Sequence, residues 1–197
     1  IVNGFVGSTA ELAELKRRAQ SMGIARFDIA IRPWPQCEAL MTLQRGLRIA
    51  DRPSVRVVRS AEGTTFSSGS PLTMEIDSPT ISSFLHVTYI QANGKAVHLV
   101  QPDNLSLLPI PPKSRLELGD GKKGGHQFTV SPPFGEELVI AISSPAPLFS
   151  ERRPQIETER EFLSALRAAV TARPTPSSPQ RNYSAAFDSI TTVERKP

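Results

Sequence analysis

Apolar and polar positions are organised most clearly over Ser82–Val100, SSFLHVTYIQANGKAVHLV. Two β-rich runs flank Asn93-Gly94, a dipeptide that readily supplies the positive φ angles of a tight hairpin turn. A two-residue turn would set Ala92 opposite Lys95, Ile90 opposite Val97 and Thr88 opposite Leu99. Phe84, Ile90, Val97 and Leu99 would then share one face, and Leu85, Val87, Tyr89 and Val100 the other. Both faces are apolar, so the hairpin is expected inside a sheet covered on two sides. In this register His98 lies opposite Tyr89 and His86 opposite Gln101, on different faces.

Before the hairpin, Ile1–Val6 is β-prone. Ser8 or Thr9 can cap a helix, with Glu11 near the reciprocal capping position and Leu12, Leu15, Ala19 and Met22 at helical spacing. Gly23 is a natural stop. Residues 25–32 (ARFDIAIR) alternate as a strand, and Pro33 and Pro35 end it around Trp34. A second helix is expected over 36–49, with Leu40, Leu43 and Leu47 as its stripe. Val55–Val58 and LTMEID read as strands, and EGTTFSSGS as turn-rich. After the hairpin come a proline-broken loop, a short run at Arg115–Leu118, the turn GDGKKGG, strand HQFTV, the turn SPPFGEE and the very apolar strand ELVIAISS. An amphipathic helix over 157–172 turns Phe162, Leu163, Leu166 and Val170 inward. A Pro/Ser linker over 173–180 precedes a β-prone run, Tyr183–Val193, expected as a strand of the main sheet with a break near Ile190. Phe84, Val97, Leu99, Leu138, Ile140 and Phe162 are the expected core.

Two stretches resemble known families. The opening VNGFVGS, its helix and Gly23-Ile24 resemble the BON domain of bacterial envelope proteins, small αβ modules thought to bind membranes or other envelope components; the likeness covers about 35 residues. The succession FLHVTYIQANGKAVHLVQPDN, SRLELGDG, FTVSPPFGEELVIAISSPAPLF and EFLSALRAA is similar to a bacterial domain of unknown function that trails caspase-like peptidases and serine/threonine kinases. This second likeness covers about 110 residues and implies a β-sandwich accessory domain with no catalysis.

Charge changes the picture little. Residues 1–60 carry 10 Lys/Arg against 5 Asp/Glu, and residues 61–150 carry 5 against 8. The one basic cluster, Lys16-Arg17-Arg18, reads as a solvated helix face, and the acidic balance that follows argues against nucleic acid. The single cysteine, Cys37, excludes an internal disulfide and a thiol-only metal site. No apolar stretch reaches the roughly 18–20 residues of a membrane-spanning helix. The start at Ile1, without methionine or signal peptide, is expected of a piece of something longer.

Candidate chemistry is sparse. IVNG is similar to the mature end of trypsin-like proteases, but Gly-Asp-Ser-Gly-Gly and a histidine near position 40 are missing. Cys37 at a helix start could pair with His86, His98 or His126 in a cysteine-dependent hydrolase. GDGKKGG lacks phosphate-loop spacing and leads into a strand. Glu136-Glu137 reads as a solvated turn, with nothing to supply the burial that raises a carboxylate pKa.

The reading is an α+β chain: a small BON-like αβ unit over 1–52, then a β-sandwich over 53–197 with one C-terminal helix and a final strand, 183–193. The expected function is non-enzymatic, a protein-interaction or sensing domain of a larger bacterial regulatory or envelope protein, periplasmic or envelope-associated, with the cytoplasm as the alternative. The binding surface is expected at Trp34, Pro109, Pro111, Pro112 and Phe134, on loops gathered at one end of the sandwich. The expected partner is a protein or an envelope component such as lipid or peptidoglycan. No cofactor, metal or nucleic acid is expected.

Overall fold

A computed structural model describes residues 1–58, 63–102, 108–122, 125–171 and 182–195. Residues 103–107 of the proline-broken loop, Lys123 and Gly124 of the glycine-rich turn, Ala172 at the expected helix end and the linker 173–180 lie outside them. The chain is mixed α+β and rich in sheet.

Strand β1 (Val2–Val6) and β2 (Phe27–Ile31) pair in parallel around helix α1 (Thr9–Ser21). Ser8 caps α1 by accepting from Glu11 N at 3.2 Å, and Glu11 reaches back to Gly7 N at 2.8 Å. Gly23, at φ +77°, carries the chain out of the helix. The helix expected over 36–49 is two short pieces, α2 (Gln36–Thr42) and α3 (Gln44–Leu47). Leu40 and Leu43 are fully buried.

The main sheet has six strands in the order β10 (Ile156–Glu157), β7 (Ala96–Val100), β6 (Phe84–Ile90), β9 (Glu136–Ser144), β11 (Ser184–Val193) and β4 (Thr65–Ser67). A second sheet holds β3 (Ser54–Val57), β5 (Met74–Asp77) and β8 (Arg115–Leu118). Helix α4 (Glu159–Thr171) lies with α2 on one face of the main sheet, where Leu40, Leu43, Ile90, Leu138, Ile140, Phe162 and Leu166 form one core. Residues 36–47 therefore share a core with the main sheet, and a boundary at 52 passes through that core. On the other face, Val57, Met74 and Ile76 from the second sheet pack with Leu85, Val87, Tyr89, Val139 and Ile190.

The hairpin forms where expected but in another register. Gly94 N donates to Gln91 O at 2.8 Å, Gln91 N donates to Lys95 O at 2.9 Å, and Gly94 sits at φ +88°. The loop therefore has three residues, a turn followed by a left-handed glycine. Asn93 Oδ1 stabilises it by accepting from Lys95 N. Ile90 now faces Ala96, Tyr89 faces Val97 and Thr88 faces His98. A one-residue slip turns side chains over, and here it runs from Ala96 to His98 before a bulge takes it up and leaves Val87 facing Val100. Val97 and Leu99 thus join the face of Leu85, Val87 and Tyr89 and are only half-buried. Phe84 is half-buried as well, whereas Leu138, Ile140 and Phe162 are core as expected.

Other expectations shift for physical reasons. HQFTV is not a strand: Phe128 N donates to Gly119 O while Phe128 O accepts from Leu72 N, so its bonds go to two different neighbours. In the turn-rich stretch, Thr65–Ser67 pairs in parallel with Thr191–Val193. Alternation in β11 runs unbroken, with Ala185 toward the helices and Ile190 toward the second sheet. Helix α4 begins after Thr158, whose N and Oγ1 both donate to Glu161 Oε2, at 2.9 and 2.7 Å. That leaves Glu157 free to be a strand residue.

Candidate functional site

The expected surface residues divide between two ends of the main sheet. Ile110 bridges Ser83, ahead of β6, and the Pro111 carbonyl accepts from Ser78 Oγ at 2.8 Å, so exposed Pro109, Pro111 and Pro112 sit at that end. Phe134 precedes β9, whose Leu138 pairs with Ile90 at the far end of β6. Ser83 and Ile90 are seven residues apart, roughly 23 Å along a strand. Exposed Trp34 is held at the Phe134 end, because Gln36 Nε2 donates to Glu136 O at 2.7 Å and Arg32 Nη2 donates to Ser189 Oγ at 2.5 Å. Phe134 itself is half-buried against the inter-sheet core. These loops therefore do not converge on one surface.

What does converge is a half-open groove of about 300 Å³. Its floor is the face that the hairpin register turned outward, with Tyr89, Val97 and Leu99, and its walls come from Leu72, Met74 and residues 127–131. Glu137 is in its lining, 4% exposed, taking a bond from the Tyr89 hydroxyl and another from Ala92 N at 3.3 Å. Burial pushes the Glu137 carboxyl above its ordinary range, more than its hydrogen-bond donors lower it. The same burial, and the carboxylate beside it, push the Tyr89 hydroxyl far up. Glu137 is thus no solvated turn residue. Alternation along β9 turns it to the face of Val139 and Ala141, while Glu136 turns toward Arg32.

The two histidines share the opposite face, contrary to the sequence-based register, and both meet the Phe149 ring, at centroid distances of 5.3 Å for His86 and 6.4 Å for His98. His98 Nδ1 lies 3.0 Å from Thr88 Oγ1 and Nε2 lies 2.7 Å from Glu157 Oε1. Arg153 pairs with Glu157 and lies over Phe149. Hydroxyl, imidazole and carboxylate stand in the order used for nucleophile activation. Thr88, His98 and Glu157 are each buried, however, so no substrate reaches the hydroxyl. The cluster straps β10 to the sheet.

His86 Nε2 accepts from Leu148 N at 3.1 Å, while Nδ1 has no partner among the described residues. Burial first, and then the neighbouring His98, lowers its pKa to about 4. An unfolded histidine titrates near 6.5. Between those values the unfolded chain binds the extra proton, so stability falls as pH drops from 6.5 to 4, by about 3 kcal/mol from this group. Glu137, with its raised pKa, acts in the opposite sense in part of that window. Urea midpoints of the protein and His86→Phe, compared across pH 4–7, should therefore converge at acid pH. Parallel curves would refute the assignment.

The remaining candidates are not brought together. Burial raises the Cys37 thiol pKa, and the charges acting on it are those of Glu38 and Glu11. His86 and His98 are committed as above, and His126 is exposed near the glycine-rich turn. Arg17 and Arg18 both pair with Glu14 on exposed α1. Among the described residues no group of three or more His, Cys, Asp or Glu is placed to hold a metal, and no helix is long and apolar enough to cross a membrane. Compared with known proteins, the chain matches no family model, no curated protein and no solved structure.

Proposed function

We propose that the chain is a non-enzymatic interaction module of a larger bacterial regulatory or envelope protein, a β-sandwich carried with a BON-like start. The observation that carries this reading is the half-open groove on the turned-out face of the hairpin, which leaves Val97 and Leu99 half-covered. The core shared by the two sheets supports the sandwich, and the β1–α1–β2 order supports the αβ start. Binding is assigned to the groove rather than to Pro109, Pro111 and Pro112, because those prolines lie at the other end of the sheet. Trp34 and Phe134 lie at the Ile90–Leu138 end of the sheet and do not line the groove. The rival reading, a hydrolase using Cys37, lacks support from the thiol's raised pKa and from the histidines' commitments.

A photo-crosslinking side chain placed at Leu99 in the source cell tests the reading against the same group at Pro111. A discrete protein adduct from position 99, lost when Val97→Arg fills the groove and unaffected by Cys37→Ser, is the expected result. No adduct from 99, or equal adducts from 99 and 111, would overturn it.

A further inference from the structure

The two buried glutamates of the main sheet are treated differently. Glu157 faces two basic groups, Arg153 and His98. Among the described residues Glu137 takes bonds from neutral donors, the Tyr89 hydroxyl, Ala92 N and the Thr192 hydroxyl, and no cation faces it. A buried carboxylate without a counter-charge is costly, which is why its pKa rises. The groove beside it is lined by Leu72, Met74, Val97, Leu99, Phe128 and Val130 together with uncharged polar residues, and among the described residues no Lys, Arg or His lines it. Ile156, 56% exposed, pairs directly with Val97 and extends the apolar rim on the same face. A largely apolar groove with one buried carboxylate in its lining is complementary to a long apolar stem that ends in a positive charge.

We propose that the groove receives a basic side chain of the partner, a lysine or arginine whose methylene stem lies on Val97 and Leu99 and whose charged head meets Glu137. The inference rests on the interaction reading above and names what that interaction recognises. A volume of about 300 Å³ is at the small end for ligand sites, which suits one long side chain and part of its neighbour. The bound cation supplies the missing counter-charge, so occupancy lowers the Glu137 pKa. Affinity for the cation then rises with pH through the carboxyl titration.

The test titrates the whole chain with n-butylammonium and, in parallel, with n-butanol, following backbone amide signals of Tyr89, Val97 and Phe128 by NMR. Saturable shifts with the ammonium, at least tenfold weaker with the alcohol and strengthening as rising pH ionises the carboxyl, are expected. Glu137→Gln, whose amide oxygen still accepts from Ala92 N while its NH2 meets a Tyr89 hydroxyl that can turn to accept, should erase the preference for the ammonium. Leu99→Arg offers a second variant at a half-buried position: its own guanidinium occupies the groove and should abolish binding with the melting temperature held. Equal binding of the two probes, or an ammonium preference that survives Glu137→Gln, overturns the proposal. If neither probe binds while crosslinking from position 99 succeeds, the basic-group assignment fails and the interaction reading stands. If crosslinking fails as well, both fall.

Discussion

A chain lacking residues 182–195 should show no cooperative unfolding transition and no near-ultraviolet circular dichroism. Strand β11 lies inside the main sheet, with eight residues paired to β9 from Ser184 to Thr191 and three paired to β4. Both of its faces are buried in part, Ala185 against the helices and Ile190 against the second sheet. Further ties come from Asp188, which accepts from Val57 N at 2.9 Å, and from Tyr183, whose ring covers Gly46 of α3 so closely that an added Cβ there would lie 2.4 Å from it. Deletion removes all of these at once and leaves an unpaired edge on β9, whose Leu138, Val139, Ile140 and Ala141 are fully buried. Domains of this size hold about 5–15 kcal/mol of net stability, and the loss of an interior strand exceeds that margin. Removing residues 194–197 alone, beyond the last paired residue, is the control and should leave the transition in place. A cooperative melt within a few degrees of the intact chain, after deletion of 182–195, would mean that β11 is not an integral strand.

How much of this was legible in the sequence depended on how local the cause was. The Ser8–Glu11 cap, the Gly23 stop and the apolar stripe of α4 act over one or two helical turns, and each stands where the residues place it. The hairpin's position followed from Asn93-Gly94, but its register did not. Two- and three-residue loops both suit that dipeptide and both leave Gly94 left-handed, so the choice turned on Asn93, which keeps a negative φ. That single residue decided the faces of Val97, His98 and Leu99, and with them both the groove and the histidine cluster. Strands β4 and β10, of three and two residues, have too little pattern to be read alone and exist because β11 and β7 offer them an edge. The burial of Glu137 comes from Tyr89, 48 positions earlier, and from the wall at 127–131. Its hydrophilic neighbours in PPFGEE conceal it. The Thr158–Glu161 box, by contrast, was in plain sight as Thr-x-x-Glu before an apolar run, and would have moved the helix start past Glu157.

Replacing Glu157 by alanine should destabilise the protein by about 3–5 kcal/mol, the usual cost of removing one member of a buried ionic cluster. The Glu157 and His98 side chains are each 1% exposed where they meet. Alanine would leave His98 Nε2 without its acceptor, release Arg153 from its pairing with the carboxylate and weaken the two-residue ladder that holds β10 against β7. Arg153 is 26% exposed and can turn to water, which limits its share of the loss. His98 cannot, and its unmet N–H contributes the desolvation term. Glu157→Gln separates the two effects, because the amide oxygen still accepts from His98 while the charge facing Arg153 is gone. It should cost about half as much. Urea denaturation of both variants at pH 7 gives the comparison, and a loss below about 1 kcal/mol for Glu157→Ala would mean the cluster is not what straps β10 to the sheet. The same variants bear on binding. Ile156 adjoins Glu157 and pairs with Val97, which lines the groove, so loosening β10 should weaken n-butylammonium binding even though Glu157 points to the other face of the sheet.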